Sequence, residues 1–182
     1  MWADGRKERS PENVYSRLDY QHLLTSQHPT GYHTVMYNRT GTNLACCVLS
    51  PPLSKTELPV KGFMADADTY YYQTKNEMEA HYLGGFLNSP YVNETIKPHQ
   101  TRGFKGVERD IARRPFEFVP IPKFNPGDQK HQKLAEISKE CHQKVAHLKF
   151  EGKSIGNLRG KVRKALAAEL EEIDRLVKDI LS

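Results

Sequence analysis

The chain has 182 residues, 37% hydrophobic and 27% charged, and a formal net charge of +5 at pH 7. That length supports one ordinary domain with its own core, or one domain plus an appended helical piece, and the positive balance suits a polyanionic partner. No apolar run reaches the roughly 18 residues a bilayer-spanning helix needs, and no basic-then-apolar leader opens the chain, so a soluble cytoplasmic protein without a membrane partner is expected.

Residues 1–13 are polar and charged around a lone Trp2 and read as a linker or tail, and the chain is read either as the end of something longer or as free-standing. Val14 to Leu24 is either a short helix or the entry to the domain. Tyr32 to Tyr37 is rich in β-formers, residues 38–42 make a turn, and Asn43 to Leu49 is a short apolar strand, which together predict a hairpin. Ser50-Pro51-Pro52 ends it, because proline has no N–H to give a ladder. Leu58 to Ala65 and Asp68 to Thr74 are two further candidate strands, the second with Tyr70, Tyr71 and Tyr72 divided between opposite faces.

Asn76 is a good N-cap, and Glu79 is placed to complete a reciprocal cap. Met78, Tyr82, Leu83, Phe86 and Leu87 then share one helical face. Gly84-Gly85 weakens that helix by roughly 1 kcal/mol per glycine, which is tolerable where another element packs closely. Ser89-Pro90 restarts a helix with Ser as cap and Pro at its first position. Val92 and Ile96 are its buried face, and Lys97-Pro98 ends it. Phe116 to Pro122 reads as an edge strand or a strand end, given its two prolines. Asn125 to Asp128 is a turn with Asp128 as the next cap.

Two helices are expected after it. The first has a seam of Leu134, Ile137, Cys141, Val145 and Leu148; the second has Leu158, Val162, Leu166, Leu170, Ile173, Val177 and Ile180. Each is amphipathic, so an antiparallel hairpin is the simplest arrangement. The expected fold is therefore α+β: a tail (1–13), a small β-rich domain with short helices (14–127), and a C-terminal antiparallel helical hairpin (128–182). Charge is uneven on the hairpin. Residues 142–164 hold seven Lys or Arg and one acid, whereas 165–182 hold five acids and two bases. The positive end can be a solvated face or a phosphate contact.

Catalytic signatures are lacking. There is no phosphate-binding glycine loop, and Ser50-Pro51-Pro52 has neither the Asn or Asp nor the aromatic of a DNA amino-methyltransferase tetrapeptide. Asp66, Asp68 and Lys75 are a weak echo of a nuclease cluster and are better read as turn formers. Cys46, Cys47 and Cys141 form no disulfide framework in a reducing compartment, and neither they nor the eight histidines have metal-ligand spacing. Cys46-Cys47 is expected to pack as a pair of small hydrophobes. No cofactor is expected to bind this chain, and by itself it is not an enzyme.

The informative stretch is His99 to Lys123, with six Lys or Arg against three acids and with Gly103 and Gly106 among the first charges. It reads as a basic loop on a rigid support. Gln100, Arg102, Lys105, Arg109, Arg113, Arg114 and Lys123 are the candidate DNA contacts. Arg102 or Arg109 can pair bidentately with guanine and Gln100 with adenine, or any of them can meet phosphate. Arg109 with Asp110 can equally be an internal pair.

Tyr82-Leu83, Leu87-Asn88-Ser89, Arg109-Asp110-Ile111, Pro115, Pro120-Ile121-Pro122-x-Phe124, His131-x-x-Leu134-Ala135 and Glu172-Ile173-Asp174-x-x-Val177 occur in that order. This order resembles the C-terminal target-recognition region of adenine-specific DNA methyltransferases of the TaqI-like and type IIG restriction–modification kind. The resemblance covers roughly residues 60–181. It implies a module that docks on double-stranded DNA and selects the sequence, while a separate domain or subunit binds S-adenosylmethionine and flips the adenine. It also implies that Leu87-Asn88-Ser89 and Pro120-Ile121-Pro122 are structural joints. The alternative expectation is a protein–protein module that docks its helical hairpin on a methyltransferase or restriction subunit.

Overall fold

A computed structural model of the protein describes residues 16, 19, 22–51, 62–66, 68–101, 110–150 and 154–182. Among these residues an antiparallel sheet of three strands, β1 (His33–Asn38), β2 (Cys46–Leu49) and β3 (Thr69–Thr74), is ordered β2-β1-β3. The α-helices with described bounds are α1 (Glu77–Asn88), α2 (Pro90–Ile96), α3 (Arg114–Phe118), α4 (Gln129–Ala146), α5 (Ile155–Ala165) and α6 (Ala167–Leu181). The α+β class follows from this inventory. The tail at 1–13 and most of the 14–24 reading lie outside the described residues.

The hairpin forms with Val35 opposite Val48 and Tyr37 opposite Cys46. On its other side β1 sets Tyr37 opposite Tyr70 and Val35 opposite Tyr72, so those side chains share one sheet face. Tyr37 and Tyr70 stack there with centroids 5.4 Å apart. Tyr71 points the other way, its hydroxyl within 3.1 Å of Ser26 Oγ. Of the cysteine pair only Cys46 packs on the core, as alternation requires; Cys47 is exposed. The strand expected at Leu58 to Ala65 is absent from its described part, residues 62–65. There the Gln27 amide takes both backbone groups of Ala65, accepting its N–H and donating to its carbonyl, in place of a neighbouring strand.

Helix α1 starts at Asn76, whose side chain accepts the Met78 and Glu79 N–H groups. The reciprocal cap does not form. The Glu79 carboxylate instead accepts the hydroxyls of Thr74 and Tyr72, and the Asn76 N–H is satisfied by Thr74 Oγ1, so Glu79 ties the helix to β3. The glycine pair is explained by its two neighbours. A Cβ at Gly84 would lie 2.8 Å from Val48 Cγ2 of β2, and one at Gly85 would lie 2.8 Å from Leu134 Cδ1 of α4. Sheet and helix both approach α1 to a distance only glycine permits.

Ser89 caps α2 as expected, with Val92 and Ile96 fully buried. Asp174 of α6 joins that cap: its Oδ1 accepts from Ser89 Oγ (2.9 Å) and the Tyr91 N–H (2.6 Å), and its Oδ2 lies 2.6 Å from Lys178 Nζ. Burial opposes the charge on Asp174, but these donors outweigh it and hold the carboxyl below the ordinary carboxylate range.

The edge strand expected at Phe116 to Pro122 is instead the short helix α3 followed by irregular chain. Pro115 stands in the first turn, where its missing N–H costs nothing, and the Phe116 and Glu117 amides bond the Arg113 carbonyl. Beyond it Pro120 and Pro122 have no N–H to offer a ladder. Tyr82 gathers this segment, donating to the Pro122 carbonyl at 3.1 Å and packing on the rings of Phe124 and His131.

Asp128 caps α4. The ion pairs Lys130–Asp179 and Lys144–Glu169 join opposite ends of α4 and α6 and so run the two helices antiparallel. The single long helix expected after residue 154 is broken, however, at Leu166 (φ −109°, ψ 17°) into α5 and α6. From Leu158 to Leu170 the apolar positions fall at three successive spacings of four. At 3.6 residues per turn each such step drifts about 40°, so one straight helix cannot hold them all on one face. One apolar cluster unites the sheet (Val35, Val48), α1 (Phe86, Leu87), α4 (Leu134, Ile137) and α6 (Ile173, Val177).

Candidate nucleic-acid interface

Three of the expected contacts, Arg102, Lys105 and Arg109, lie outside the described residues, as do Gly103 and Gly106. The residues on either side of 102–109 are described, and both sides bond to the turn between β1 and β2. That turn is itself fixed by Asn38, whose side chain donates to the Thr40 and Asn43 carbonyls and accepts the Ala45 N–H. From α2, Asn93 accepts the Leu44 N–H at 2.8 Å. Asn88, at the end of α1, pairs with both backbone groups of Cys46 at 3.0 Å.

On the entering side, Gln100 Nε2 donates to the Gly41 carbonyl at 3.4 Å. On the returning side, Asp110 forms a β-bridge with Thr40, and the Ile111 and Ala112 N–H groups both reach the Arg39 carbonyl at 3.0 Å. Ile111 is fully buried. Ala112 takes the left-handed conformation (φ 41°), which costs an L-residue roughly 1 kcal/mol or more, and its carbonyl accepts the Tyr37 hydroxyl at 2.9 Å. Arg114 spans the two sides. Its Nε donates to the His99 carbonyl at 2.6 Å, and its Nη1 lies 2.8 Å from Asp110 Oδ2.

This geometry divides the expected site residues. Gln100 is 7% exposed and turned into the protein toward Gly41, so it is withdrawn from the base-reading role expected of it. Arg114 clamps the two flanks and pairs with Asp110, while the Arg109–Asp110 pair considered from the sequence lies outside the described residues. Arg113 and Lys123 are exposed, the first at the start of α3 and the second on the irregular chain beyond it. Asp66 is a turn former as expected, accepting the Asp68 N–H and the Thr69 hydroxyl.

Sequence reasoning missed an aromatic group beside these cations. His99 stacks on Phe118 with ring centroids 3.6 Å apart and planes 7° from parallel, while Phe118 and Phe116 remain 41% and 49% exposed. Reading 116–122 as a strand hid this, because α3 puts both rings on one short turn of helix. Arg39, exposed on the anchoring turn, was also missed; its only signal was a cation inside a turn. Neither a family model nor a curated protein matches this sequence. The chemistry open to the site is that of its surface groups. Guanidinium forks suit phosphate or a base edge, exposed rings offer stacking faces, and among the described residues no group of three His, Cys, Asp or Glu is placed to hold a metal ion. No helix among the described residues is long and apolar enough to cross a membrane.

Proposed function

We propose that this chain is the DNA-binding target-recognition module of an adenine-specific DNA methyltransferase or restriction–modification enzyme, non-catalytic by itself. In this reading it works in the cytoplasm beside an S-adenosylmethionine-dependent domain or subunit. The observation that carries it is the rooting of both flanks of the basic segment 102–109 on one turn by Gln100, Asp110, Ile111 and Ala112, with Arg114 tying the flanks to each other. A cation-rich segment held at both ends beside exposed Arg113 and the His99–Phe118 stack suits contact with duplex phosphate and base edges. Some of the short motifs behind the family resemblance also meet in space: Ser89 with Asp174, and Tyr82 with Pro122 and His131. Docking through the hairpin's seams is less favoured, because Leu134, Ile137 and Cys141 of α4 and Ile173, Leu176 and Val177 of α6 are already buried within the chain.

The test is duplex binding by the full chain across a salt series. Affinity should fall steeply with salt, and changing Arg102, Lys105 and Arg109 together to Ala should flatten the log–log slope by about 0.9 for each phosphate that is no longer neutralised. Selection from a random duplex pool should then return a weakened or altered motif. The same motif from wild type and triple variant would remove the segment as the reader, and no duplex binding at low salt would sink the proposal.

A further inference from the structure

Helix α5 stands apart from the rest of the fold. None of its 11 residues is buried, Ile155 is 71% exposed, and Leu158 and Val162 are only half-covered. Its four charges, Arg159, Lys161, Arg163 and Lys164, are all positive and all exposed, save for the partial cover that helical packing gives their stems. Lys149, at the end of the preceding chain, is exposed as well, and its carbonyl accepts from Lys161 Nζ at 2.6 Å. Helical spacing sets Arg159 and Arg163 in one row and Lys161 and Lys164 in another. Between the rows the surface is bare, since a Cβ at Gly156 or Gly160 would meet nothing within 4 Å. No acid lies on α5, and three acids of α6 are paired elsewhere, Glu169 with Lys144, Glu172 with Arg175 and Asp174 with Lys178.

Such a helix is poorly stabilised from within. Two glycines weaken it by roughly 1 kcal/mol each, and 11 residues are too few for an isolated helix to persist in water. Like charges at Arg159 and Arg163, four apart, add repulsion that no acid on the helix relieves. A partner carrying a line of negative charge would meet both cation rows at once and remove that repulsion. A sugar–phosphate backbone is such a partner, and the bare strip between the rows lets its ridge come close.

Resting on the proposed DNA reading, we infer that α5 is a second duplex contact, separate from the 102–109 segment, which holds the phosphate backbone without reading sequence and becomes ordered in doing so. It adds affinity and leaves the choice of bases to the other surface.

The experiment compares the full wild-type chain with Arg159→Gln/Arg163→Gln/Lys164→Gln, using one duplex over a salt series and amide exchange with and without that duplex. All three positions are exposed, so helicity and Tm should be unchanged. The expected result is a slope on log salt smaller by about 2 to 3, at roughly 0.9 per phosphate, with an unchanged base preference. Duplex should also slow exchange at residues 155–165 in wild type and not in the variant. Arg159→Lys/Arg163→Lys keeps the charges and should keep the slope. If wild type binds duplex but the Gln variant retains the full slope and 155–165 gain no protection, α5 is no contact and the inference is overturned with the DNA reading intact. If wild type binds no duplex at low salt, both are overturned.

Discussion

At the scale of single residues, the buried His81 and the half-buried His142 join β2, α1 and α4. His142 accepts the Val48 N–H on Nε2 at 2.9 Å and donates from Nδ1 to the Ser138 carbonyl at 2.7 Å, so both ring nitrogens are used by the neutral ring. Burial lowers its pKa although the Ser138 bond works the other way. His81 packs edge-on against it at 5.1 Å, is 4% exposed, and is pushed down to about 4, first by burial and then by His142. A histidine whose folded pKa lies below its unfolded value of about 6.5 contributes stability that is present above 6.5 and is lost as pH falls toward the folded value. Denaturant unfolding should therefore show a loss of about 2 kcal/mol from His81 alone between pH 7 and pH 5. His81→Leu, which removes the titration and a buried Nδ1 without a partner, should visibly flatten that dependence. An unchanged pH profile in the variant would mean that the ring is not held neutral by the fold.

At the scale of elements, glycines in two helices lead to opposite expectations. Gly85→Ala gains roughly 1 kcal/mol of helix propensity, but its Cβ would meet Leu134 Cδ1 at 2.8 Å and Cγ at 2.9 Å, and overpacking of that kind costs about 1–3 kcal/mol. Net destabilisation is expected. Gly160→Ala meets open space and should stabilise by up to about 1 kcal/mol, so the two Tm shifts should differ in sign. The elements that could be read from sequence were those specified by neighbours in the chain: Asn76, Ser89 and Asp128 as caps, the hairpin, and the four-three spacing of α4. Others depended on distant partners. Gln27 replaced a strand partner for Ala65, and Glu79 reached back to β3 instead of its own cap. The kink at Leu166 was present in the spacing from Leu158 to Leu170, but becomes visible only when the drift per turn is followed through.

At the scale of the molecule, the helical hairpin shares its core with the sheet. Leu134 sits under Gly85 and His142 bonds β2, while Asp174 of α6 caps α2. A fragment of residues 128–182 should accordingly show far less helix by circular dichroism than the same residues contribute to the whole chain. Full helicity in the fragment would instead mark it as an independent unit. Charge also has a large-scale pattern: residues 142–164 hold seven Lys or Arg against one acid and residues 165–182 five acids against two bases, a separation that would orient the molecule in an external field over about a Debye length. The candidate site was legible as a basic stretch because charge is a local property of sequence. The withdrawal of Gln100 and the clamp made by Arg114 were not legible, since each depends on groups brought close by the fold, Gly41 for one and Asp110 with the His99 carbonyl for the other.

The double anchoring at the β1–β2 turn has a consequence for the chain between its anchors. Gln100 and Asp110 fix the two ends between which residues 102–109 must run, and for any chain closed between fixed ends a doubling of length costs only about 0.6 kcal/mol in closure entropy. The turn acts as a socket in which both ends of that segment are seated.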